Sequence, residues 1–278
     1  MTKAQAREWI ARSEGGLDPG EPNFSDKGSP KGEKITIYSV LNESYYALGT
    51  VWLKSLKEKM DDHIKKIYIA DVGIKEETKN KILELSDKIE FLETSTHSVP
   101  QRIHDNDWKN AVSEKTRQLL RLCNEDNYPI LMMDADKCVL KSFEEEIYKD
   151  CDVQVCCVAE EDKPHNQDGY DIGYIGSWFV IHNDKGKEFL QRWIERSWTT
   201  RGAHIETPSL CLTLEDYGNS LNIIKNHERT VSAYRYSEEA KILHFRSDGQ
   251  QPVDLLRRVG NINNLPVSVL EKVLNYIR

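Results

Sequence analysis

From Lys34 onward, short apolar runs alternate with segments whose apolar residues recur every three or four positions. Ile35-Thr36-Ile37-Tyr38-Ser39-Val40 is short and β-branched, which predicts a buried strand. Tyr45, Leu48, Trp52, Leu53 and Leu56 keep helical spacing over 44–60. A strand at 67–70 follows, then a helix over 75–87 carrying Ile82, Leu83 and Leu85, and a strand at 89–92. A polar loop with His97, Pro100, His104 and Trp108 leads to a helix at about 111–124 and to an apolar strand at 129–133. Strand–helix alternation of this kind predicts an α/β fold, a mostly parallel sheet covered on both faces by helices.

The second half is less regular. Strands are expected at 153–158 and 178–181, and helices at 184–198 and 206–217, the first with Phe189, Leu190, Trp193 and Ile194 on its apolar face. A short apolar piece, Ile242-Leu243-His244-Phe245, precedes a C-terminal helix over 266–278. No internal repeat is apparent, and no composition break divides this half from the first. The N-terminus differs. Residues 2–13 suit a short helix with Ala6, Trp9 and Ile10 on one side, and Gly15, Gly16, Pro19, Gly20, Pro22, Gly28, Pro30 and Gly32 then mark an extended arm. The expected organisation is an arm over 1–33 and one domain over 34–278. The arm is free to dock on a second copy of the chain, as in a homodimer.

Composition narrows the function classes. With 278 residues, 38% hydrophobic and 30% charged, the chain reads as soluble and large enough for a sizeable core. No apolar run approaches the roughly 20 residues of a membrane helix, and no secretory signal stands at the N-terminus. A net charge of −8 argues against nucleic acid as a partner, since Lys and Arg supply phosphate-backbone affinity. Cys123, Cys138, Cys151, Cys156, Cys157 and Cys211 form no CxxC pair; zinc spacing is absent, and adjacent apolar cysteines suit a reducing, cytoplasmic setting.

The most informative chemistry is Met133-Asp134-Ala135-Asp136. Two carboxylates two residues apart stand where an all-apolar strand ends. In open α/β sheets ligands bind at such strand ends, and acids there are costly without a compensating charge. A divalent cation such as Mg²⁺ or Mn²⁺ provides it, commonly taking one or two carboxylates together with substrate phosphates. The bland alternative is a solvated acidic turn.

The stretch from Ile35 to about Phe143 resembles the GT-A glycosyltransferases, nucleotide-sugar enzymes with a DxD motif, and most of all the retaining glycogenin- and galactosyltransferase-like group. The likeness rests on Ile35 to Asn42, Ile69-Ala70-Asp71-Val72-Gly73, Lys115 to Arg121 and Ile130 to Asp136 in that order. It implies a GT-A fold whose nucleotide-binding half is 34–143 and whose acceptor-binding half is 144–278. It places Ser39, Val40, Leu41 and Asn42 at the nucleobase, with Tyr45 or Tyr46 able to stack, and Asp71 at base or ribose. Lys115 or Arg117 would face the diphosphate or sugar, and Asp134 with Ala135 would meet the nucleotide sugar. Asp134, Asp136 and the late His244 would hold Mn²⁺ or Mg²⁺; the alternative for His244 is a core histidine.

The sequence departs from that pattern after His244, where a usual lysine is missing and Arg246 is the available substitute, and at Thr207, where glutamine is common. Glu206 takes the place of the family's acid. Glu206, Asp171 and Glu160 are then the acids able to serve as base in an inverting reaction, and the outcome, inverting or retaining, stays open. The reaction implied is transfer of a sugar from a UDP- or GDP-sugar to a saccharide hydroxyl. Two rivals stand beside it. A sugar nucleotidyltransferase usually has a glycine-rich, basic loop after the first strand, but Leu41-Asn42-Glu43-Ser44 has neither feature. An inactive nucleotide-sugar-binding module would keep the fold and lose the chemistry. A transferase acting on modified DNA bases is disfavoured by the charge.

Overall fold

The computed structural model describes residues 32–94, 106–158, 165–167, 169–200, 205–217, 220–245 and 265–277, with backbone alone for 106–111, 165–167 and Asp171. The expected arm over 1–33, apart from its last two residues, lies outside the described residues, as do His97, Pro100, His104, Glu160 and Arg246.

The first half runs β1 (Ile35–Leu41), α1 (Tyr46–Met60), β2 (Ile64–Asp71), α2 (Glu76–Leu83), β3 (Ile89–Glu93), α3 (Asn106–Leu122) and β4 (Ile130–Met133). Next come β5 (Lys137–Val139), β6 (Val153–Cys157), β7 (His165–Gln167), β8 (Tyr170–Ile172) and β9 (Tyr174–Ile181). The chain continues through α4 (Asp184–Thr199), α5 (Glu206–Tyr217), β10 (Ile223–His227), α6 (Glu228–Val231), β11 (Ile242–His244) and α7 (Val267–Ile277). Seven strands form one sheet in the order β10-β6-β9-β4-β1-β2-β3. All its pairings are parallel except those of β9, which runs against both β4 and β6.

The alternation of buried residues explains the layers. Ile37, Leu131 and Met133 pack on one face, under α1, with Trp52, Leu53 and Leu56. Tyr38, Ile130 and Met132 pack on the other with Phe189, Leu190 and Trp193 of α4. Successive strand residues point to opposite faces, so a strand apolar throughout needs cover on both sides.

Several boundaries differ from expectation. The helix expected over 75–87 stops at Leu83, where a turn carries Leu85 back onto the core. The helix expected from 111 begins at Asn106. The strand expected at 178–181 starts at Tyr174, because past an irregularity after Val155 the glycine-bearing segment still pairs with Cys156 and Cys157. β10 was not expected: its Lys225 and His227 are exposed, and Asn226 between them is buried with its side chain bonded to Gln154 and Glu146.

The topology fixes where a ligand can sit. The chain lays β2 and β3 on one side of β1 and then crosses to place β4 on the other. Parallel neighbours whose connections diverge leave a crevice at their carboxyl ends. Asp134 and Asp136 lie at that crevice.

Candidate active site

Each site residue is held by an element with its own reason to be there. Asp134 leaves β4, its backbone N–H donating to the Ser177 carbonyl of β9 at 3.3 Å. Asp136 is fixed from the other side, its carbonyl accepting from Phe245 N–H at 2.9 Å. Immediately after it, β5 pairs with β11 in antiparallel register, with His244 opposite Lys137. That three-residue ladder brings a histidine more than a hundred positions away beside the carboxylates. His244 Nε2 lies 3.2 Å from Asp136 Oδ1 and 3.7 Å from Asp134 Oδ2. One atom from each of Asp134, Asp136 and His244 falls within 4.8 Å of the others.

This donor set fits a divalent cation. Two carboxylates and one imidazole suit Mn²⁺, and carboxylates with water suit Mg²⁺. The other edge of the imidazole is held too: Nδ1 is 3.1 Å from Ser232 Oγ, and the ring lies 5.0 Å from that of Tyr234. A ligating histidine is ordinarily oriented through its second nitrogen in this way.

Lys115 lies within the site, between two of its acids. Tyr38 of β1 donates its hydroxyl to the Lys115 carbonyl at 2.8 Å, pinning α3 there. The buried ammonium donates to Asp134 Oδ1 at 2.6 Å and to Glu206 Oε1 at 2.7 Å, with the Gly176 carbonyl at 3.3 Å. Lys115 therefore joins the carboxylate at the strand end to the acid at the start of α5. Burial alone would lower its pKa, but Asp134 and Glu206 outweigh it and hold the ammonium well above the usual lysine range. Burial pushes the Glu206 carboxyl up and Asp134 adds to the rise, while Lys115 acts against both; the net shift is upward.

Glu206 is positioned with little freedom. The Trp193 indole N–H of α4 lies 3.1 Å from the Glu206 carbonyl and 3.0 Å from Ser209 Oγ, which fixes the first turn of α5 against α4. Across the cleft, a Cβ on Gly176 would stand 2.8 Å from Glu206 Oε1. Glycine at 176 is what lets the carboxylate reach Lys115.

The remaining expected residues divide. Ser39 is wholly buried, and its hydroxyl has no hydrogen-bond partner among the described residues. Leu41 is core, its methyl groups against Gly49, and Val40 packs on the α4 side of the sheet. Asn42 caps the turn that follows, its Oδ1 accepting from Tyr45 N–H and Ser44 Oγ. Tyr45 and Tyr46 are half-buried against the core. Asp71 accepts from the N–H groups of Gly73 and Ile74 and pairs with Lys79 at 2.5 Å. Burial tends to raise its carboxyl, but Lys79 and those N–H groups win and hold it below the usual range. In this arrangement Asp71 shapes a turn.

Ala135 is buried between the two aspartates. Arg117 is not with the cluster: its guanidinium lies 3.9 Å from Glu114 and 6.0 Å from the centre of the exposed Trp198 ring. Asp171 contributes its backbone to the β7–β8 pair, opposite Asn166.

Sequence reasoning missed Lys137 and Ser232. Lys137 is fully buried, and its ammonium donates to Ser232 Oγ at 3.0 Å; burial holds its pKa below the ordinary lysine value. A lysine directly after the DxD, inside an apolar run, was the available signal.

A family model described as nucleotide-diphospho-sugar transferase matches residues 74–227, more than half of the chain. The chain belongs to that family. The transferase also shares the GT-A fold of solved glycosyltransferases. It is similar to the galactosyltransferase LgtC, solved with donor and acceptor sugar analogues, at 13% identity and a TM-score of 0.52, covering 86% of this chain and 100% of that one. It is similar to GlyE of Streptococcus pneumoniae at 15% identity and a TM-score of 0.53, over 88% of this chain and 60% of that one. For the bifunctional glycosyltransferase WbbM the values are 8% and 0.52, over 83% and 50%. No curated protein sequence matches the chain significantly. No helix among the described residues is long and apolar enough to cross a membrane.

Proposed function

We propose that this transferase moves a sugar from a nucleotide-diphosphate sugar, UDP- or GDP-linked, to a hydroxyl of a saccharide acceptor, with Mn²⁺ or Mg²⁺ held by Asp134, Asp136 and His244. The observation that carries this reading is the convergence of those three side chains at the switch point of a nucleotide-sugar transferase fold. When bound, the ion supplies Lewis-acid stabilisation of the charge that develops on the departing nucleoside diphosphate.

The protein's own residues do the rest. The ends of β1 and β2 flank the donor crevice; Ser39 and Leu41 are buried behind it, and Val40, Asn42 and the turn at Asp71 are the groups we assign to reading a base and ribose. Residues 34–143 take the donor and 144–278 the acceptor. Lys115 holds Asp134 and Glu206 in one geometry, so neither carboxylate swings when the donor enters. Glu206, kept partly basic by its buried setting, is the group we assign to take the proton of the acceptor hydroxyl if the reaction inverts; Asp171 is the alternative. A retaining front-face reaction needs no such base. Six cysteines outside any disulfide, five of them buried, suit a cytoplasmic protein.

A donor screen with Mn²⁺ tests the reading. Nucleoside diphosphate should be released from one UDP- or GDP-sugar, only with metal, and release should fall at least about a hundred-fold in Asp136→Ala, beyond what an outer partner of a metal ligand is worth. Release unaffected by that change would remove the metal site from the account. Pyrophosphate formed from a nucleoside triphosphate would favour a nucleotidyltransferase, and tight nucleotide-sugar binding without turnover a binding module.

A further inference from the structure

Behind the metal ligands lies a polar cluster of which only His244 has a part in the chemistry above. Lys137, Ser232, Ser177 and His244 are all buried. Ser232 Oγ is their hub, 3.0 Å from Lys137 Nζ, 2.8 Å from Ser177 Oγ and 3.1 Å from His244 Nδ1. An ammonium only donates, and a hydroxyl has two lone pairs and one proton. Donation from Lys137 therefore occupies one lone pair of Ser232. One lone pair and one proton remain, for two neighbours. Either Ser177 donates to Ser232 and Ser232 to His244 Nδ1, or Ser232 donates to Ser177 and accepts from His244 Nδ1–H; a cation on Nε2 requires the second. His244 Nε2 then carries a lone pair, and that nitrogen is the one facing Asp134 and Asp136. Every position on the hub is filled.

The backbone around the hub is hydrogen-bonded on both sides. Ser232 N–H closes α6 by donating to the carbonyl of its first residue, Glu228, and His244 N–H donates to the Ala233 carbonyl, both at 2.9 Å.

We propose that Ser232, its hydroxyl oriented by Lys137 and Ser177, is a positioning residue for the cation site: it holds His244 as the Nδ1–H tautomer with Nε2 free to ligate. This rests on the metal-site reading above, and the test separates the two. Ser232→Ala alone would orphan the buried Lys137 ammonium and endanger folding. The informative pair is Lys137→Met and Lys137→Met/Ser232→Ala. Both lack the ammonium, so their difference reports the hydroxyl alone.

Binding of Mn²⁺ to the full chain is followed by the electron paramagnetic resonance of the free ion, with His244→Ala as reference. The double variant should bind Mn²⁺ about 10–100-fold more weakly than Lys137→Met. In the presence of Mg²⁺, ¹⁵N imidazole spectra should show His244 in the Nδ1–H form in Lys137→Met and as a mixture in the double variant. Equal Mn²⁺ binding and the same tautomer in both variants would overturn the role of Ser232. Binding unchanged in His244→Ala would instead overturn the metal site itself, and the proposal with it.

Discussion

Lys115 is the residue on which the site's electrostatics turn. Its ammonium lies within 2.7 Å of both Asp134 and Glu206, and all three side chains are largely shielded from solvent. Removing one partner from such a cluster leaves charge without compensation, which costs several kcal/mol. Lys115→Met should therefore lower stability by about 3 kcal/mol, roughly 5–10 °C in Tm for a chain of this size. Added Mn²⁺ should restore part of the loss, because a cation bound only by the folded state replaces the missing charge. Thermal unfolding with and without Mn²⁺ checks this; an unchanged Tm would show that the two carboxylates do not depend on Lys115.

At this scale the sequence revealed the candidate metal ligands better than their contacts. Asp134, Asp136 and His244 were legible because acids at the end of an apolar strand, and a histidine closing a short one, are conspicuous. The partners of Lys115 were not, since Glu206 stands 91 positions away. Ser232, 95 positions from Lys137, carries no local signal at all.

At the scale of elements, periodicity located the long helices and the buried strands, because burial on both faces leaves an uninterrupted apolar run. It failed where an element depends on its partner. β5 and β11 are three residues each and exist as a ladder only because each finds the other. α7 was legible by its apolar stripe, but not how it is secured. Val273 and Tyr276 pack with Leu48 and Val51 of α1, while Glu58 of α1 accepts from Lys272, at 2.8 Å, and from the Tyr276 hydroxyl.

Lys272, then Lys59 and Tyr276, hold the Glu58 carboxyl down at about 2 from a usual 4.5. A depressed acid stabilises the fold above its unfolded pKa and loses that contribution as pH falls through the folded value. Docking of α7 should hence weaken as pH drops from about 4.5 toward 2. The amide protons of α7 should exchange faster over that window while those of β1 and β4 stay protected, and Glu58→Gln should flatten the dependence. Because the pair is half-exposed, the effect should shrink in high salt. Equal exchange in α7 and the sheet across the window would show that Glu58 does not secure the helix.

At the scale of the molecule, strand–helix alternation predicted the α/β class, and the order of motifs predicted a GT-A fold. What alternation leaves open is the direction of β9, the strand that runs against its neighbours and joins the two halves of the chain in one sheet. Through β9 the Gly176-Ser177 segment reaches the aspartates, so residues of both halves meet at one crevice. A donor site and an acceptor site built from the two halves would share that crevice.

The most direct test is an anomalous difference map from crystals soaked with Mn²⁺ and a nucleoside diphosphate. The account predicts one strong peak at ligand distance from Asp134, Asp136 and His244 Nε2, with diphosphate oxygens completing the shell. A peak elsewhere, or diphosphate bound in the crevice with no ion between it and the two aspartates, would contradict it.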